Sequence, residues 1–353
     1  MGSPTEMGEA FGASCREEIH ELYQRRVATA ADKAKAYGGR EVTEHQLLGI
    51  AERSIAASRA FDEAVMQELA GIARGADLGI AHILALNGLT DFWDAFAWTS
   101  PSPADDDEAF GGCTAVIVKA ERSASGQPLC GQTWDLATDN QPFVLLVERT
   151  PTEGPKTVAL TCTGCLSIAG LNDQGLAVGT TNLRTPDARP GVGYTLLLHR
   201  ALRCGSAREA LDVVTSAERA GAHFYFFADR QEVVAVEASP HHLEHVDDGA
   251  VLVQGNHCVS PAHCQIEAHS PATTSPARVR RMKSLVNGQA AFTPDDLRRL
   301  LSDTDGGSDA ISRDDIAGVS SNGAILMAPA QAQAWACHGP PHKAAWDELA
   351  LAA

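Results

Sequence analysis

Cys113 follows Gly111-Gly112 and opens the strand-like run Thr114-Ala115-Val116-Ile117-Val118. A thiol at an internal Gly-Cys bond can attack the carbonyl before it and carry the acyl group as a thioester. Water then releases the cysteine as a new N-terminal residue. The α-amine so freed has a reference pKa near ~7.7–8.0, so a useful fraction is neutral at pH 7 and can take the thiol proton. Nucleophile and base then share one residue, and no histidine is needed. The plainer reading, a small buried hydrophobe at a strand start, is outweighed by the residues that accompany it.

Asp135 ends Gly131-Gln132-Thr133-Trp134-Asp135, one hairpin beyond Cys113. A carboxylate there can accept a hydrogen bond from the Cys113 ammonium and fix its direction; otherwise it is an Asp closing a strand. Asn256 follows the strand Val251–Gln254, in Gly255-Asn256-His257-Cys258. Its amide NH₂ suits an oxyanion, and losing such a donor costs ~2.7–4 kcal/mol of transition-state stabilisation; the alternative is a turn-forming Asn. Asn182, in Gly179-Thr180-Thr181-Asn182-Leu183, is a second candidate of the same type. Arg313 stands among acids in Ser312-Arg313-Asp314-Asp315. It reads either as a surface ion-pair residue or as a planar fork orienting a carboxylate, that of Asp135 or one on a substrate.

The elements that must carry these residues change character at the Gly112-Cys113 junction. Before it, apolar residues recur at three-to-four spacing. Helices are predicted over Cys15–Tyr37 (closed by Gly38-Gly39), from Thr43-Glu44-His45 through Ile55, from Asp62 to Gly75, and from Leu78 to a break at Asn87-Gly88. Pro101, Pro103 and the acids Asp105-Asp106-Asp107-Glu108 read as an exposed linker. After the junction, short strand-like runs are predicted over 114–119, 143–149, 156–160, 166–169 and 176–180. Helices are expected at 195–203 and 207–216, strands at 223–227, 232–237 and 251–254, helices at 278–286 and 294–301, and closing strands at 323–327 and 332–337. Strands, helices and strands again suggest two sheets with helices outside.

Composition narrows the function classes. With 353 residues, 44% apolar and 21% charged, the chain is an ordinary globular protein. A net charge of −17 disfavours nucleic acid and anionic membrane as partners. The one basic cluster, Arg278 to Lys283, reads as a solvated helix face. No run approaches the ~20 apolar residues that span a bilayer. The N-terminus lacks a signal-peptide pattern, and an odd count of nine cysteines suits a reducing cytosol.

Taken in order, Gly112-Cys113-Thr114, Gly131 to Asp135, Ala177 to Asn182, Asn256-His257-Cys258, Arg278-x-x-Arg281-Met282 and Ile311-Ser312-Arg313 resemble the acyl-coenzyme A:6-aminopenicillanate acyltransferase family of cysteine NTN hydrolases. Two positions depart from the family pattern: Gly111 in place of an acid and Ser312 in place of a cysteine. The resemblance implies an α+β fold, an αββα four-layer sandwich with a helical N-terminal segment. It implies autocleavage at Gly112-Cys113 into fragments 1–112 and 113–353 that stay together as an αβ heterodimer. It gives Cys113 the roles of nucleophile and amine base, Asp135 and Arg313 those of supporting charges, and Asn256 that of oxyanion donor, with Asn182 near the site. The expected substrate is a small linear amide, with no cofactor and no metal. Acyl transfer to or from coenzyme A or an amine is the alternative outcome. A different class of reading is a non-enzymatic or zinc-binding protein, from Cys162-Thr163-Gly164-Cys165 and the cluster His257, Cys258, His263, Cys264.

Overall fold

The computed structural model describes residues 1–97, 112–268 and 274–351. Five helices come first: α1 (Pro4–Ser14), α2 (Arg16–Gly38), α3 (Glu44–Phe61), α4 (Glu63–Ala76) and α5 (Ile80–Ala97). Their ends follow local chemistry. Gly39 closes α2 in the left-handed region (φ 60°). Thr43 and Gln46 form a reciprocal capping box on α3, and Asp62 caps α4. The acidic linker expected at 99–108 lies outside the described residues, as does Gly111.

Two expectations for this half are corrected. α1 is an additional helix, started by Ser3, Pro4 and Glu6 in a capping box. It packs so closely on α4 that a Cβ on Gly8 would stand 2.1 Å from the Glu68 carbonyl, and one on Gly75 2.3 Å from that of Glu9. The helix α5 does not break at Asn87-Gly88. The Asn87 side chain is buried and donates to the carbonyls of Ile83 and Gly164 while accepting from the Leu166 N–H. Gly88 lacks the Cβ that would strike the Phe92 ring. Tertiary bonds thus override the turn propensity of the dipeptide.

Residues 113–351 form two antiparallel sheets. The strands are β1 (Ala115–Val118), β2 (Leu129–Ala137), β3 (Val144–Arg149), β4 (Thr157–Cys162), β5 (Ala169–Asn172), β6 (Ala177–Asn182), β7 (His223–Ala228), β8 (Val233–Ala238), β9 (Leu243–His245), β10 (Val251–Gln254), β11 (Val319–Ala328), β12 (Gln333–His338) and β13 (Trp346–Ala350). One sheet has the order β10-β1-β2-β11-β12-β13 and the other runs β3 to β9 in sequence. α6 (Tyr194–Ala201) and α7 (Ala207–Thr215) cover the second sheet. The short α8 (Pro261–Cys264) precedes α9 (Ser275–Val286), which with α10 (Pro294–Leu301) covers the first sheet. The result is an αββα four-layer, α+β sandwich. The run 166–169 is an irregular approach rather than a strand; pairing with β4 begins at Ala169 and with β6 at Gly170. β9, α8 and β13 are additional elements.

One apolar core runs between the sheets and continues among α2 to α5, while a second lies between the first sheet and α9 and α10. Near the site the sheets are joined by polar bonds. The Gln132 side chain donates to the Thr180 carbonyl (3.1 Å) and accepts from its N–H (2.9 Å). Gly179 leaves room for this bridge, since a Cβ there would lie 2.4 Å from Gln132 Oε1.

Buried charges tie the helical segment to the sandwich. Glu68 on α4 accepts from Arg149 Nε at 2.7 Å and pairs with His199 Nε2 at 3.1 Å. Asp91 on α5 pairs with His223 at 2.6 Å, both about 1% exposed. Burial pushes the Glu68 carboxyl up, but His199 and Arg149 overcome it and hold the group at about 2, below its ordinary 4.5. By linkage this depression contributes roughly 3 kcal/mol to folding at neutral pH. Because the folded-state value is the lower one, that contribution is complete above about 4.5 and is lost as pH falls toward 2. Urea unfolding of Glu68→Gln should therefore show a deficit against wild type at pH 7 that shrinks at pH 3; a deficit independent of pH would show that the charge on Glu68 is not what stabilises.

Candidate active site

Cys113 lies two residues before β1, 8% exposed, and the main chain on both sides of its amide is held by arginines. Arg313 Nη2 donates to the Gly112 carbonyl at 2.7 Å, and Arg278 Nη1 donates to the Cys113 carbonyl at 2.7 Å. The carbonyl immediately before Cys113 is thus bonded to a cation. Both guanidinium groups are about 1% exposed.

The neighbours are positioned by the sheet. Thr114 N–H donates to Thr133 Oγ1 (3.1 Å), and Thr133 N–H to the Thr114 carbonyl (3.0 Å), which aligns β1 with β2 and carries Asp135 beside Cys113. Opposite Asp135, β11 carries a bulge between Ser321 and Gly323. Bulges re-aim chain at sites of this kind. Here Ser321 Oγ accepts from the Arg313 N–H (3.1 Å) and its own N–H donates to the Arg313 carbonyl (3.0 Å). Arg313 is thereby set against Asp135 Oδ2, at 2.8 Å from Nη2 and 3.3 Å from Nε. Of its two sequence readings, the surface ion pair is excluded and the orienting fork stands. The other carboxylate oxygen, Asp135 Oδ1, is buried without a hydrogen-bond partner among the described residues.

Asn256 follows β10, with its N–H fixed by Ser275 Oγ (2.6 Å). Its Oδ1 accepts from Arg278 Nη2 (3.1 Å), so the amide orientation is set by a cation. Of its two Nδ2 hydrogens, one goes to the Asn182 main-chain carbonyl (3.0 Å), and an NH₂ group has a second to give. Asn182 thus meets Asn256 through its main chain, while its side-chain Oδ1 is buried without a hydrogen-bond partner among the described residues. The structure brings all six sequence candidates together: Gly112, Cys113, Asp135, Asn182 and Asn256 line one cavity of about 220 Å³, and Arg313 lies behind Asp135.

Arg278 corrects the sequence reading. The cluster Arg278 to Lys283 is not a solvated face throughout: Arg278 is buried, bonding Cys113, Thr114 and Asn256, Val279 and Met282 pack in the second core, and only Arg280 and Lys283 are exposed. Burial and the charge of Arg313 pull Arg278 down to about 10, so it stays protonated at neutral pH. Burial and the charge of Asp135 push the Cys113 thiol of the uncut chain up to about 12. A thiol in that range is a weak nucleophile unless a base takes its proton.

The cysteine–histidine motifs fold otherwise than zinc spacing suggests. Cys162 ends β4 beside Arg26, and Cys165 Sγ donates toward the Leu86 carbonyl. His263 bonds Ser260, and Cys264 donates to the Cys258 carbonyl. Among the described residues no three of His, Cys, Asp and Glu converge as a metal-binding group.

If Asn256 supplies the oxyanion donor, Asn256→Ala should lower kcat by about 10²–10³-fold with little change in KM. Steady-state kinetics on one acyl amide checks this; a rise in KM alone would assign Asn256 to binding.

A family model described as acyl-coenzyme A:6-aminopenicillanic acid acyl-transferase matches residues 122–343, beginning downstream of Cys113. A curated relative from Emericella nidulans, named acyl-coenzyme A:6-aminopenicillanic-acid-acyltransferase 40 kDa form, is 27% identical over 294 residues, 82% of this chain and 76% of the relative. Among solved structures, a Caenorhabditis elegans N-acylethanolamine-hydrolyzing acid amidase ortholog aligns at 14% identity and TM-score 0.46, over 62% of this chain and 93% of its own. A variant of conjugated bile acid hydrolase from Clostridium perfringens aligns at 12% identity and TM-score 0.48, over 68% and 92%.

Proposed function

The chain belongs to the acyl-coenzyme A:6-aminopenicillanic acid acyltransferase family, and from that premise we propose that it is a self-processing amide hydrolase whose nucleophile is Cys113, freed by cleavage of Gly112-Cys113. The observation that carries this reading is the unsatisfied Oδ1 of Asp135 beside a cysteine whose preceding carbonyl is held by Arg313. An orphaned buried carboxylate oxygen costs stability. An α-ammonium on Cys113 would supply the missing donor, and only cleavage creates one.

In processing, the thiol sulfur attacks the Gly112 carbonyl carbon, with Arg313 stabilising the oxygen that gains charge. The C–N bond breaks as the C–S bond forms, and the new amine takes a proton. Water then cleaves the thioester, leaving Gly112 with a carboxylate and Cys113 with a free thiol and amine. On substrate, the amine takes the thiol proton, sulfur attacks the amide carbon, and Asn256 donates to the oxyanion. Collapse expels the amine, which leaves with the proton held on the Cys113 nitrogen, and water resolves the acyl-enzyme. Fragments 1–112 and 113–353 then act as one unit, a reading supported by the Glu68 and Asp91 pairs that cross between them. The setting we propose is the reducing cytosol, which keeps nine thiols free.

The names of the family and of the Emericella relative favour a second fate for the thioester, transfer to an amine or to coenzyme A. Incubation with small acyl amides followed by rapid acid quench tests the reading. A mass adduct equal to the acyl group on fragment 113–353 is expected. Amine release without such an adduct in wild type, and undiminished in Cys113→Ala, would overturn it. Added amine acceptor raising amide-product yield at the expense of free acid would select transfer.

A further inference from the structure

Arg26 lies on α2, 8% exposed, and lines the same cavity as Cys113. Its Nε has no hydrogen-bond partner among the described residues. One Nη reaches only the Asn140 amide oxygen and the Cys162 sulfur, each at the long distance of 3.5 Å. Its neighbours are differently placed: Arg25 is exposed and bonded to Glu21 and Asp139, and Asp135 is committed to Arg313. Burial holds the Cys162 thiol at about 11 even beside Arg26, so the sulfur is neutral at pH 7 and provides no counter-charge. Among the described residues the Arg26 guanidinium bonds no carboxylate.

An enclosed guanidinium without a counter-ion costs several kcal/mol. A planar fork with a free Nε is matched by a bidentate carboxylate. The rest of the cavity wall includes Trp93, Trp134 and Tyr194, which suit an aromatic or aliphatic body. Arg26 bonds Asn140 and Cys162, whereas the main chain at Cys113 is bonded by Arg278 and Arg313, so Arg26 is free to meet a part of the ligand other than its scissile amide. We infer that Arg26 anchors a carboxylate carried by the substrate away from its scissile amide. This rests on the hydrolase reading above and deepens it: the substrates are amides bearing a carboxylate and an apolar body. It also gives fragment 1–112 a part in specificity after cleavage.

The test is calorimetric titration of the purified protein with 4-phenylbutyrate and its neutral match, 4-phenyl-1-butanol, neither of which can be hydrolysed. Wild type should bind the carboxylate at least about tenfold more tightly than the alcohol. Arg26→Gln should remove that preference and leave the alcohol unchanged, and Arg26→Lys, the variant that keeps the charge, should retain part of it. Equal affinity for both probes in wild type, or no detectable binding of the carboxylate at millimolar concentration, would overturn the inference. So would a preference that persists in Arg26→Gln. Failure of the hydrolase reading shows separately, as an uncut chain or a missing acyl adduct.

Discussion

Replacement of Cys113 by alanine should leave a single uncut chain of 37.2 kDa and lower amide turnover by about 10⁴–10⁶-fold, the range seen when a covalent nucleophile is removed. The size follows from how much one residue carries. Sulfur forms the bond to the acyl group, and the nitrogen of the same residue moves the proton both ways. Among the described residues, the charged groups around Cys113 are two buried guanidinium groups, which cannot act as bases, and a carboxylate already bonded to one of them. Intact mass and steady-state kinetics read the two losses independently. Processing lost with turnover retained would keep Cys113 as a cleavage residue and remove it from catalysis.

The second large effect concerns Arg313. Replacing it with methionine in the uncut chain leaves the buried Asp135 carboxylate without its guanidinium partner, and Oδ1 has no hydrogen-bond partner among the described residues. Breaking a buried pair from one side costs about 3–5 kcal/mol. The Gly112 carbonyl loses its donor in the same substitution, so cleavage should slow as stability falls. Asp135→Asn removes the charge from the other side. The double variant should then be less destabilised than the sum of the two singles, because neither leaves a lone charge. Urea unfolding of the four proteins, each carrying Cys113→Ala so that all are uncut single chains, measures this coupling. Additive effects would mean that Arg313 and Asp135 act independently.

The site was legible in the sequence wherever a residue lies close to a recognisable strand end. Cys113 lies just before β1, Asp135 sits near the end of β2 and Asn256 follows β10, and turn and strand signals put each of them at or near a strand end. The helical first half was legible from its periodicity and caps, and most strands from their β-branched runs. Arg278 was not: it begins a basic run at helical spacing, and its burial comes from carbonyl and amide groups 22 and 165 residues away. Arg26 was hidden in the same way, in the polar face of a long helix. The continuation of α5 through Asn87-Gly88 depends on bonds to Gly164 and Leu166, which no local window contains. Local chemistry set element ends, whereas long-range bonds decided which charged side chains became interior.

The central claim is that this chain makes its own catalytic N-terminus, and the most direct measurement is the intact mass of freshly purified wild-type protein with sequencing of its larger species. Two species near about 12 and about 25 kDa, in proportion to chain length, with the larger beginning Cys-Thr-Ala-Val, are the expected result. A single species of 37.2 kDa that nonetheless hydrolyses acyl amides would contradict the account, because turnover would then proceed without the amine on which the mechanism depends.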